Sequence, residues 1–146
     1  MTIHRLESSD TSRWDEFVDS HAQATFFHLA GWKTVLENAF GHRTHYLFAE
    51  VDGEIRGVLP LGRIKSRFFG DTQISIPFGV YGGILAADDA SKDALQTAAA
   101  VLARAGGRHL EVFVPPSANA AVLARLSDLD AEIVTCSRDS ETLSLI

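Results

Sequence analysis

Residues 40–86 read FGHRTHYLFAEVDGEIRGVLPLGRIKSRFFGDTQISIPFGVYGGILA, and this stretch decides the fold. Residues 44–51 are apolar and β-prone, residues 54–65 are β-prone again, and only Asp52-Gly53 separates them. A two-residue Asp-Gly connection is the strongest local signal for a type I′ hairpin turn, because both central residues need positive φ. A third β-prone run, 72–77, follows the cluster Ser66-Arg67-Phe68-Phe69-Gly70. After it come Tyr81-Gly82-Gly83 and a helical pattern. The stretch predicts three strands in a meander, ending in a glycine-bearing loop that feeds a helix. Pro60 lies within the second strand and cannot donate to a ladder, so that strand is expected at an edge or bulged there.

Upstream, residues 2–6 form a short candidate strand. Ser12-Arg13-Trp14-Asp15 has the form of a capping box, and Trp14, Phe17, Val18 and His21 then fall at helical spacing. A second helix is expected over 28–39, with Leu29, Trp32, Leu36 and Phe40 as its apolar stripe and Gly41 as the glycine that ends it. Between the helices, Ala24-Thr25-Phe26-Phe27-His28 is apolar without periodicity; Phe26 and Phe27 either join the core or line a cleft.

Downstream, a helix is expected over 90–105, with Leu95, Ala98, Leu102 and Ala105 as its stripe and Gly106-Gly107 as its stop. Asp88, Asp89 and Ser91 crowd its start, which suits capping and the helix dipole. Residues 109–114 are the next strand, closed by Pro115-Pro116. Ser117 caps a fourth helix running to about residue 126. Residues 131–136 and 141–146 are the last strands, joined by Ser137-Arg138-Asp139-Ser140. The order is βααβββαβαββ: an α/β (α+β) domain with a mixed, mostly antiparallel sheet flanked by helices. No repeat, linker or low-complexity segment interrupts it, so residues 1–146 read as one domain.

Composition narrows the class. A chain of 146 residues buries roughly 70% of its unfolded surface, enough for a real core. Its hydrophobic fraction of 46% and charged fraction of 22% are those of ordinary globular domains. The net charge of −6 gives no electrostatic case for binding DNA. No apolar run approaches membrane-spanning length, and residues 1–10 hold no signal-peptide core. The single cysteine, Cys136, excludes an internal disulfide and fits a reducing, cytoplasmic setting; it reads as a small buried hydrophobe.

The element order is that of the GNAT acyltransferase fold, and three segments carry a closer resemblance. ATFFHLAGW (24–32), FGHRTHYLFAEVDGEIRGVLPLGRIKSRFFG (40–70) and PFGVYGG (77–83) together resemble the N-terminal half of FemAB-related proteins, particularly those associated with exosortase and exopolysaccharide systems. The likeness covers about residues 24–86 and fades from Val112 onward. FemAB relatives are built from two tandem GNAT-like domains and transfer aminoacyl or acyl groups to cell-envelope precursors. The resemblance therefore implies such a transferase, or half of one, and makes His28 and Trp32 candidate substrate contacts.

The residues themselves refine this. GNAT acetyltransferases hold the coenzyme A pyrophosphate on a (Gln/Arg)-x-x-Gly-x-(Gly/Ala) loop at a helix N-terminus, where free N–H groups favour an anion. The corresponding segment here, 80–91, has Tyr81, Gly82 and Gly83 but no Arg or Gln, and places Asp88 and Asp89 where the phosphates would arrive. Coenzyme A is therefore not expected as a cofactor, and FemAB relatives lack that loop too; an aminoacyl donor fits instead. Tyr81 beside two glycines is a candidate substrate contact, or else packs while the glycines turn the chain. Glu111, at mid-strand, is a candidate general base or a structural ion-pair member. FemAB relatives usually carry an Arg two residues later, where Phe113 stands here.

The six histidines are scattered, with no metal-ligand spacing. Arg56, Arg63, Lys65 and Arg67 fall in a run without an acid between Ile55 and Gly70, which is either a charged strand end or an anion contact through Arg63 and Lys65.

Three functions are compatible with these residues: a FemAB-type aminoacyl or acyl transferase domain, a coenzyme A-dependent N-acetyltransferase with a degenerate loop, and a non-catalytic GNAT-like binding module. If the active unit needs two such domains, the partner is a second GNAT-like domain or a second copy. A homodimer through the final hairpin, 131–146, is the expectation, with an unpaired terminal strand as its template.

Overall fold

A computed structural model describes residues 1–67, 70–75, 83–105, 109–114, 131–135 and 141–145, with side chains for 1–65, 67, 71–75 and 83–105. The strands are β1 (Thr2–Arg5), β2 (Arg43–Thr44), β3 (Leu47–Val51), β4 (Glu54–Leu59), β5 (Leu61–Ser66), β6 (Gly70–Ser75), β7 (Leu85–Ala86), β8 (His109–Val114), β9 (Ala131–Thr135) and β10 (Glu141–Leu145). The helices are α1 (Thr11–Ser20), α2 (Ala30–Asn38) and α3 (Asp89–Ala105). Four strands pair in the order β1-β3-β4-β7 and six in the order β2-β5-β6-β8-β10-β9. The fourth helix expected over 117–126, the Gly106-Gly107 stop, Cys136, Tyr81 and Gly82 lie outside the described residues.

The Asp-Gly hairpin forms as expected. Asp52 has φ 51° and Gly53 φ 84°, and β3 pairs antiparallel with β4 from Val51↔Glu54 to Leu47↔Leu59. The strands around it differ from expectation in three ways. Residues 44–51 are not one strand: β2 pairs with β5 in one sheet and β3 with β4 in the other. Residues 54–65 likewise break at Pro60, which has no N–H to continue a ladder. The break is neither at an edge nor a bulge, since β4 lies between β3 and β7 and β5 between β2 and β6. The bulge falls earlier, where Ala49↔Gly57 is followed by Glu50↔Ile55 and Arg56 is left over. The third strand begins at Gly70, two residues before the expected start, and runs to Ser75; residues 76 and 77 lie outside the described residues.

Strand β7 was not foreseen. Its Leu85 and Ala86 pair with Val58 and Gly57. A Cβ at position 57 would stand 2.9 Å from Leu95 Cδ1 and 3.2 Å from the Leu85 carbonyl oxygen, so glycine lets β7 and α3 close on this strand.

Two apolar clusters lie on the sheet. One joins Leu47, Ala49, Leu59 and Leu61 to Leu95, Ala99, Ala100 and Ala103 of α3. The other joins Trp14, Val18, Leu36, Tyr46, Phe48, Ile55, Val58 and Leu85, bringing α1 and α2 onto the strands. The stripe of α3 is therefore turned from the expected one: Leu95 is buried, Ala98 and Leu102 only partly, and Ala105 is exposed. In a helix this rich in alanine the small faces Ala99 and Ala103 make the close approach. The α2 stripe is also shorter than expected, because Phe40 is exposed; Gly41 does end the helix, at φ 65°. The capping box is displaced as well. It pairs Glu7 with Asp10 around the turn Ser8–Asp10, while Asp15 accepts from the Ala30 N–H at 2.8 Å and so caps α2.

The last strand is not an unpaired template. β10 lies between β8 and β9, and the edge belongs to β9. No described helix is long and apolar enough to cross a membrane.

Candidate functional site

Among the described strands only β6 and β8 pair in parallel, through Thr72↔His109, Gln73↔Leu110 and Ile74↔Glu111. The pairing then stops, although β8 runs on to Val114 alongside β10. The carboxyl ends of adjacent parallel strands, where the chain leaves the sheet, are a recurrent place for ligands in α/β proteins. Glu111 stands on the last shared rung, with Ser144 opposite it on β10. Its side chain lies outside the described residues. The segment 76–82, with Tyr81 and Gly82, is tied to Ser75 of β6 at one end and to Gly83 at the other.

Gly83 is where two of the expected contacts meet. His28, 1% exposed, ends the short 3-10 turn Phe26–His28 and has the Gly83 backbone beside its ring. The Thr25 N–H donates to its Nδ1 at 3.1 Å. Because that nitrogen accepts, the neutral ring carries its proton on Nε2, which is buried and closes no well-formed hydrogen bond despite the neighbouring Gly83 backbone. Burial, more than any other influence, lowers its pKa to about 4, so the ring is neutral at pH 7. His28 is thus a fixed N–H donor and not a base. His21, at the end of α1, donates Nε2–H to the Ala86 carbonyl at 3.2 Å. The α1–α2 connection is therefore bonded to β7 through His21 and lies beside Gly83 through His28.

Trp32 lies half-buried against Phe27 and Phe26, with ring centroids 5.1 and 6.1 Å away. Its Nε1 is buried and has no hydrogen-bond partner. Phe26 is 65% exposed, so this aromatic group is partly open to solvent.

The N-terminus of α3 carries its own anion. Asp88 Oδ1 accepts from the Ser91 N–H at 2.8 Å, and Oδ2 takes the Arg56 guanidinium at 3.0 Å. The Ser91 N–H first, and Arg56 after it, hold this carboxylate below the ordinary range. The end of the helix that would face a pyrophosphate is already occupied by a carboxylate.

Arg63 and Lys65 lie elsewhere. Both line a groove of about 560 Å³ with Phe40, Gly41, His42 and Arg43, beyond the C-terminal end of α2. Arg63 binds both oxygens of Asp71, one through Nε at 2.7 Å. The expected site residues therefore separate: His28 meets Gly83, Trp32 packs on the Phe26–His28 turn, and Arg63 and Lys65 line the groove beyond α2.

One buried polar group was missed. Gln73, 0% exposed, has neither amide atom hydrogen-bonded, and it sits one rung before the opening between β6 and β8. The alternation Thr72-Gln73-Ile74-Ser75 marks it as solvent-facing, which is why sequence pattern hid it. Among the described residues no cluster of three or more His, Cys, Asp or Glu side chains could hold a metal.

No protein-family model and no curated protein sequence matches the chain. Solved structures do. FemX matches with TM-score 0.63 and 20% identity, over 91% of this chain and 32% of the FemX chain, so the present chain spans about a third of that protein. The ribosomal-protein-S18-alanine N-acetyltransferase from Escherichia coli matches with TM-score 0.66 and 16% identity, over 99% of this chain and 92% of that one. A probable acetyltransferase from Staphylococcus epidermidis matches with TM-score 0.69 and 14% identity, over 98% and 96%. The fold is that of the GNAT acyltransferases, as the element order predicted.

Proposed function

We propose that this chain is a FemAB-type aminoacyl or acyl transferase domain, acting on a cell-envelope or exopolysaccharide precursor and forming half of an active unit. The observation that carries this reading is the N-terminus of α3. Asp88 caps it and Arg56 neutralises Asp88, so the helix end that serves coenzyme A in acetyltransferases has no free role for a pyrophosphate. The donor is then an aminoacyl ester and not coenzyme A. Acceptor and donor meet where β6 and β8 part. Gly83, with the buried His28 ring behind it, marks one side of this place; Tyr81, Gly82 and Trp32 are the proposed substrate contacts, and Glu111 is the group proposed to take the acceptor's proton.

The near-complete overlap with the Escherichia coli acetyltransferase favours a second reading, a self-contained acetyltransferase. Mass spectrometry of envelope precursors incubated with the chain separates the two. Labelled amino acid is expected to appear on the precursor when an aminoacyl ester is supplied. Acetylation from acetyl-coenzyme A would favour the second reading, and no transfer from either donor by a chain shown to be dimeric would leave a non-catalytic binding module.

The second half of the unit is a further GNAT-like domain or another copy of this chain. Strand β9 offers a sheet edge for such pairing, with no neighbour beyond it among the described residues. Light scattering over a concentration series is expected to give a dimer mass; a monomer at high concentration would remove the homodimer.

A further inference from the structure

The groove beyond the end of α2 has a charge surplus that the transfer reaction does not use. β2 and β5 place Arg43 directly across from Arg63, an arrangement that is unfavourable unless an anion relieves it. The carboxylate at hand is Asp71, which lies across from Lys65 but is taken by both ends of the Arg63 guanidinium. Arg43 and Lys65 are exposed and form no ion pair among the described residues. Among the described residues three cations thus face one carboxylate, in a chain whose net charge is −6. An aromatic wall adjoins them. Phe40 is 49% exposed, and its ring runs nearly parallel to that of His42, at 11° and 6.3 Å. Cations set beside an apolar face, in a groove of about 560 Å³, match a small ligand that is anionic at one end and flat at the other.

We propose that this groove binds a phosphorylated small molecule, its phosphate held by Arg43 and Lys65 and an adjoining ring lying on Phe40. The site is separate from the one at Gly83. His28 precedes α2 and Phe40 follows it, so nine residues of helix, about 14 Å, stand between them. Arg63 stays engaged with Asp71 and sets the depth of the groove, while the two exposed cations supply charge-assisted hydrogen bonds.

Inorganic phosphate and phenyl phosphate are suitable probes, titrated into the full chain by calorimetry at low ionic strength, where exposed charges are least screened. Phenyl phosphate is expected to bind more tightly than inorganic phosphate. Replacing both cations, Arg43→Ser with Lys65→Ser, is expected to weaken both probes at least about tenfold. Phe40→Ala is expected to weaken phenyl phosphate and leave inorganic phosphate unchanged. Lys65→Gln alone, at an exposed position, keeps the test intact should the double variant fold poorly, and it too should weaken both probes. Absence of binding by the unaltered chain, or binding that survives loss of both cations, overturns the proposal. Equal affinity for the two probes overturns the role of Phe40. These readouts need no acyl transfer, so they fail or succeed independently of the transferase reading.

Discussion

Trp14→Ala is expected to destabilise the domain by about 3–5 kcal/mol, the range for truncating a large buried aromatic side chain. Trp14 is 0% exposed and stands at the centre of the α1–α2 cluster. It stacks on Tyr46 at 5.4 Å and meets Phe48 edge-on at 6.5 Å. Its Nε1–H donates to the His28 carbonyl at 2.7 Å, so the substitution also leaves that buried oxygen without its donor. Chemical denaturation followed by circular dichroism measures the loss. Trp14→Phe restores most of the volume but not the hydrogen bond, and should fall between the two. The hydrogen bond also links stability to the site, because the carbonyl it holds belongs to the residue that faces Gly83. A Trp14→Ala protein within about 1 kcal/mol of the parent would mean that this cluster is not the core of the domain.

The second large effect is a dependence on pH. His28 has a folded-state pKa of about 4 against an ordinary value of 6.5, because burial disfavours its charged form. At pH 7 the ring is mostly neutral in both states and costs little. As the pH falls below 6.5 the unfolded chain takes up a proton that the folded chain refuses until about pH 4, so folding loses stability across that window. The displacement corresponds to about 3 kcal/mol in full. Asp88 and Glu50 are held below the ordinary carboxylate range by hydrogen bonds to Ser91 and Arg13, respectively. Their contributions are present at neutral pH and fade only at more acid pH, which separates them from the histidine. Denaturation midpoints measured from pH 7.5 to 4.5 should therefore decline in the parent chain and decline less in His28→Gln. A parent profile that is flat over this window would show that His28 is not buried as a neutral ring.

Much of the fold was legible because the decisive signals are local. Asp52-Gly53 names its own turn, since few other dipeptides accept φ values of 51° and 84° in succession. Gly41 likewise marks the end of α2. What escaped depends on neighbours that are distant in sequence. Pro60 can be seen to interrupt a ladder, but whether it bends, bulges or divides a strand depends on which strands flank it. Here β3 and β7 hold one side and β2 and β6 the other, so the strand divides. Two-residue β7 is too short to carry any periodicity. The phase of α3 was misjudged because alanine on several faces gives the pattern little contrast, and the strand surface chose Ala99 and Ala103.

The site was less legible than the fold. His28 belongs to an aperiodic apolar patch in which nothing local distinguishes it from Phe26 or Phe27. Its significance comes from Thr25, which fixes its tautomer, and from Gly83, far along the chain. The cationic run from Arg56 to Arg67 was visible in composition, yet its pairing was not. Asp71 lies just outside that run in sequence and directly opposite Lys65 in register. Arg56 leaves the group altogether to bind Asp88.

The central proposal is that this chain, with a GNAT acyltransferase fold, works without coenzyme A. Calorimetric titration of coenzyme A into the full chain, at physiological ionic strength, tests it most directly. The account predicts no specific binding at low micromolar concentration, because the Asp88 carboxylate already occupies the N-terminus of α3. A dissociation constant in the low micromolar range, weakened by substitutions around Gly83 and α3 but not by Arg43→Ser with Lys65→Ser, would contradict it and establish an acetyltransferase-type donor site.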